Sequence, residues 1–147
     1  MFKHILIPTD GSEISRKAVA AGIELAKAVG AKVTVVYAAP SATPVVYKHF
    51  LPVGYMTPQK HAQAIKRAAA HYLEFAERAA KAARVPCETV SVTSDFPADT
   101  ILSVAAKRKC DLIYMASHGY RGVKAVLLGS KTQKVLAHAK IPVLVHR

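Results

Sequence analysis

Ala116-Ser117-His118-Gly119, followed after nine residues by Gly129-Ser130, is the stretch of this chain whose residue types and spacing could do chemistry. It lies between a strand-like run, Asp111-Leu112-Ile113-Tyr114-Met115, and a helix-like run over 131–139. A strand, a glycine-bearing loop and a helix that opens with Gly-Ser can hold an anion. The first N–H groups of a helix have no intrahelical partner and carry partial positive charge. A phosphate answers both conditions, so the chemistry to expect is phosphate binding.

Turnover is less well provided for. Gly129-Ser130-Lys131-Thr132 lacks the preceding glycine of a P-loop, and no paired carboxylates accompany it. His61 and His71 fall on one expected helix but ten apart, off the i, i+4 spacing of a zinc pair. Cys87 and Cys110 form no CxxC pair and read as reduced, structural thiols.

These residues need a scaffold, and 147 residues suffice for one domain with a real core. Hydrophobic residues make up 52% of the chain, yet no run approaches the ~18 needed to cross a bilayer. The opening apolar run is too short for a signal peptide, so a cytoplasmic protein without membrane attachment is expected.

Apolar periodicity and turn residues place strands at 2–8, 33–38, 87–93, 111–116 and 142–146. Helices fall at 13–29, 59–84, 97–109 and 131–139. Asp10 or Ser12 can cap the first helix and Gly30 can end it. Its inward face would carry Ala18, Ala21, Gly22, Leu25 and Val29; that of the second would carry Ile65, Ala69, Tyr72, Ala76, Ala79 and Ala83. The run 87–93 alternates like an edge strand. The proline-rich connection 40–58 is apolar for a surface loop, which suits a lid or binding segment as well as a partly disordered link.

Strict β-α alternation gives the fold class: α/β, an open five-stranded parallel sheet with helices on both faces. In such sheets ligands sit beyond the carboxyl ends of the strands, where the winding reverses. Pro8-Thr9-Asp10-Gly11-Ser12 ends the first strand and Ser117-His118-Gly119 ends the fourth. If these strands are neighbours, both motifs line one crevice. Each residue also has a plainer reading. Asp10 could be a helix cap, Gly119 a turn glycine with positive φ, Gly129-Ser130 an N-cap, and His118 a satisfied loop histidine.

Over essentially its whole length the chain resembles the universal stress protein family. The resemblance rests on Lys3-His4-Ile5-Leu6-Ile7-Pro8-Thr9-Asp10-Gly11-Ser12, Asp111-Leu112-Ile113, Ser117-His118-Gly119, Leu127-Leu128-Gly129-Ser130 and Ile141-Pro142-Val143-Leu144-Val145. It implies strand order 3-2-1-4-5, usually a homodimer through the last strand, and a role in the stress response. Members that bind ATP carry Gly, two residues, Gly, nine residues, then Gly with Ser or Thr. Here Gly119, Gly129 and Ser130 fit, while Ala116 stands in the first glycine position.

Carried over by position, the resemblance implies that Pro8, Thr9 and Asp10 border the adenosine and that Ala38 meets adenine through its backbone. Met115, Ala116, His118 and Gly119 would line ribose and α-phosphate. Gly129, Ser130, Lys131 and Thr132 would hold the outer phosphates of ATP, or the shorter phosphates of ADP or AMP, with Mg²⁺ or Mn²⁺ on the nucleotide. The expected function is a nucleotide-binding regulator with little or slow hydrolysis. The alternative is a dimer that acts through unknown protein partners without nucleotide. The net charge of +12 would also suit nucleic acid, but too few aromatic residues interleave with the basic ones after Lys107 to favour it.

Overall fold

The computed structural model describes residues 1–41, 57–119 and 128–147. Nine elements follow one another: β1 (His4–Pro8), α1 (Glu13–Val29), β2 (Lys32–Ala39), α2 (Pro58–Ala83), β3 (Cys87–Thr93), α3 (Pro97–Lys107), β4 (Leu112–Ala116), α4 (Ser130–His138) and β5 (Val143–His146). The sheet is parallel throughout and its order is β3-β2-β1-β4-β5. The expected fold class is therefore the observed one, and β1 and β4 are neighbours at the reversal of winding.

The layers follow from residue alternation along the strands. Ile5 and Ile7 of β1 point into a core shared with Val19 and Ile23 of α1 and Leu73 and Ala76 of α2. Leu6 points the other way, with Ile113 and Met115 of β4, against Ile101 of α3 and Val135 of α4. β2 is buried on both faces, as its β-branched run demands. β3 alternates between half-buried and exposed residues at the sheet edge.

The helix ends show which sequence signals were used. Ser12 caps α1 by accepting a hydrogen bond from the Ser15 N–H. Asp10 does not cap the helix; its carboxylate instead accepts from the Ser12 N–H and hydroxyl. Gly30, at φ +70°, closes the other end, with its N–H and that of Ala31 donating to Lys27 and Ala26 carbonyls. α3 ends at Lys107, short of the expected 109, because Lys109 adopts φ +55°. The buried faces are rotated slightly from expectation. Ser15, Val19, Ile23 and Ala26 join Ala18 and Gly22 in α1, and Leu73 and Ala80 join Ala69, Ala76 and Ala83 in α2, while Ala21, Leu25, Val29, Ile65, Tyr72 and Ala79 pack partly buried against the same core. Most of the connection 40–58 lies outside the described residues. Among the described helices none is long and apolar enough to cross a membrane.

Candidate functional site

Beyond the carboxyl ends of the strands lies a cleft of about 710 Å³, within the size range of small-molecule sites. β1 contributes Pro8, with Thr9 and Asp10 just after it; β2 contributes Tyr37 and Ala38; β4 contributes Met115 and Ala116, followed by His118 and Gly119. Gly129 and the first turn of α4, Ser130 to Thr132, form the far wall. The structure thus brings all twelve sequence-predicted residues to one cleft. Ser15, Ser94 and Asp95 line it too and were not anticipated. Ser94 and Asp95 follow β3, so the rule that sites lie at strand carboxyl ends was a signal for them. No motif marked them. The Asp95 carboxylate accepts from the Ser41 N–H and hydroxyl, which hold its pKa below the ordinary value.

The loop after β1 is fixed by its own side chains. The Thr9 hydroxyl meets the Ser15 hydroxyl at 3.1 Å and accepts from the Gly11 N–H, so it braces the loop from within. Gly11 sits at φ +79°, where a Cβ would also strike the Tyr72 ring at 2.2 Å. Asp10 projects from this loop toward α4, with its Oδ2 3.7 Å from the Lys131 ammonium. Burial alone would raise the Asp10 pKa. The hydrogen bonds from Ser12 and the charge of Lys131 outweigh that and hold it below the usual carboxylate value.

The loop after β4 is bound to α4 from below. The Thr132 hydroxyl, 2% exposed as a residue, lies 3.0 Å from the Ala116 carbonyl and 3.1 Å from that of Ser117. Its donor hydrogen is therefore spent inside the protein, which leaves its N–H as the donor it can offer to a ligand. The Gly129 N–H donates to the Ser117 carbonyl at 2.7 Å. Gly129 is the N-cap of α4 and offers no side chain to cap it. The N–H groups of Ser130, Lys131 and Thr132 consequently lack intrahelical partners. The His118 ring is satisfied at Nδ1 by the Ser117 hydroxyl, 3.0 Å away, and still borders the cleft.

Both motif glycines sit where a side chain would be tight. A Cβ on Gly119 would lie 1.9 Å from Asp10 Oδ2, and Gly119 has no positive φ, so the turn-glycine reading does not explain it. A Cβ on Gly129 would lie 3.2 Å from the His118 Cα and 3.4 Å from the Ser117 carbonyl oxygen. Ala116 is 8% exposed, and it groups with the core between the sheet and α1 and α2, on the face opposite α4.

The sequence profile of the Universal stress protein family matches residues 1–147. The chain belongs to the universal stress protein family. A universal stress protein of Thermus aquaticus, named for its place in the 3′ region of a QAH/OAS sulfhydrylase, is 34% identical over 148 residues, covering all of both chains. The solved structure of MJ0577 of Methanocaldococcus jannaschii is 25% identical, with a TM-score of 0.78 over 99% of this chain and 95% of that one. Other universal stress proteins share the fold at lower identity. One, in complex with cAMP, is 24% identical with TM-score 0.70, over 99% of this chain and 97% of its own. The Arabidopsis thaliana member with AMP bound is 19% identical with TM-score 0.66, over 97% and 90%. That of Archaeoglobus fulgidus in complex with dAMP is 17% identical with TM-score 0.63, over 100% and 98%.

Proposed function

We propose that this universal stress protein binds adenine nucleotides, ATP foremost, in the cleft between the β1 and β4 loops and the start of α4, and acts as a regulator rather than a catalyst. The observation that carries this reading is the pair of glycines at points where a Cβ would press on Asp10 and on His118, opposite an open helix N-terminus. That combination lets a phosphate chain approach backbone N–H groups closely. The complexes of other family members with cAMP, AMP and dAMP support an adenine nucleotide as the ligand class.

In this reading Ala38 and the loop Pro8 to Asp10 flank the adenosine. Met115, Ala116, His118 and Gly119 line ribose and first phosphate. The N–H groups of Ser130, Lys131 and Thr132 take the outer phosphates with the Ser130 hydroxyl and the Lys131 ammonium. Ala116, in place of a motif glycine, is compatible with this because its methyl belongs to the core on the face away from α4. Among the described residues no cluster of three His, Cys, Asp or Glu could hold a metal alone. In this reading Mg²⁺ or Mn²⁺ is carried on phosphate oxygens, with Asp10 the carboxylate at hand.

Two further parts belong to the same proposal. Residues 1–147 act as one cytoplasmic domain. Two copies pair along β5, whose Leu144 is 39% exposed on the sheet's outer strand. The test of the central reading is release of adenine nucleotide from the denatured purified protein, together with ATP-dependent thermal stabilisation. Absence of both would defeat it.

A further inference from the structure

Lys131 is the second residue of α4, and its ammonium reaches across the cleft to the Asp10 carboxylate at 3.7 Å. Gly119 keeps that corner open: a Cβ there would lie 1.9 Å from Asp10 Oδ2 and 3.6 Å from Lys131 Nζ. The ion pair therefore joins the β1 loop to the helix start at the point where the two motifs meet. The Lys131 side chain is 41% exposed and that of Asp10 20%. A pair so placed is weak and exchanges readily for a stronger anion.

We propose that Lys131 selects the length of the phosphate chain. Its ammonium exchanges the Asp10 carboxylate for an outer phosphate, so that the cleft prefers ATP over AMP without needing a divalent cation. The inference rests on the adenine-nucleotide reading above and adds to it. A triphosphate laid against the α4 N–H groups brings its outer phosphates beside Nζ, where a lysine acts as a point charge. A monophosphate near Gly119 brings less negative charge to the same ammonium, so it competes less well with Asp10.

The experiment is calorimetric titration of the full chain with ATP and with AMP in EDTA, for the wild type, Lys131→Gln and Lys131→Arg. The wild type is expected to bind ATP more tightly than AMP. In Lys131→Gln the ATP-to-AMP preference falls by about 10- to 100-fold, the loss of one charge-assisted contact, and Lys131→Arg retains most of it. A preference unchanged in Lys131→Gln, or a wild type without preference, overturns the role of Lys131 while nucleotide binding stands. Failure of the wild type to bind either nucleotide overturns the adenine-nucleotide reading and this inference with it.

Discussion

A Cβ at Gly129 would sit 3.2 Å from the His118 Cα, so the loop that α4 faces must give by a few tenths of an ångström, and a branched side chain would fill the approach to the helix start. Gly129→Val is therefore expected to abolish ATP-dependent stabilisation in a thermal melt while the chain still folds. Asp10 permits a second test at this scale. Its carboxyl titrates below the ordinary value of 3.8, so its ionised form contributes stability above that value and loses it as pH falls through the lowered one. Asp10→Asn should be less stable than wild type near neutrality, with the gap closing as the pH falls below the ordinary carboxylate range. Urea unfolding at a series of pH values reads this directly; a constant gap would contradict it. Burial pushes both Cys87 and Cys110 up to about 11, so native protein near neutral pH should react slowly with thiol reagents. The glycines were legible as residues of interest, since their spacing follows a phosphate-binding motif. Their reason was not. It depends on Asp10 and His118, which come near only in the fold.

The element that carries the proposed phosphate contacts is α4, and it is held by Val135, fully buried, and by Thr132. Thr132→Val keeps the shape but removes the hydroxyl donor that the Ala116 and Ser117 carbonyls share, leaving Ser117 with the Gly129 N–H. A loss of about 1–3 kcal/mol in urea unfolding is expected, with Thr132→Ser near wild type. Ser12 has a comparable part in α1, where removal of an N-cap costs about 1 kcal/mol. Helix α1 was legible to the residue because Ser12 and Gly30 are strong local signals. The β3–α3 connection was not read as part of the site, because Ser94 and Asp95 follow no motif and meet the cleft only through strand order. The Asp10–Lys131 pair escaped for a related reason: periodicity carries no information about which distant side chains face each other.

At the scale of the molecule, alternation of strands and helices was enough to give a parallel sheet, and the resemblance gave its order. The cleft follows from that order, since β1 and β4 are adjacent only because the winding reverses between them. One cooperative unfolding transition is expected for residues 1–147, and Leu144→Lys on β5 should shift a dimer toward monomer in sedimentation. The central claim is nucleotide binding, and titration of the purified chain with ATP and Mg²⁺ during thermal unfolding tests it most directly. At ~100 times its dissociation constant ATP should stabilise the fold by about 2.7 kcal/mol, and the shift should vanish in Gly129→Val. No shift at millimolar ATP, or an equal shift in Gly129→Val, would contradict the account.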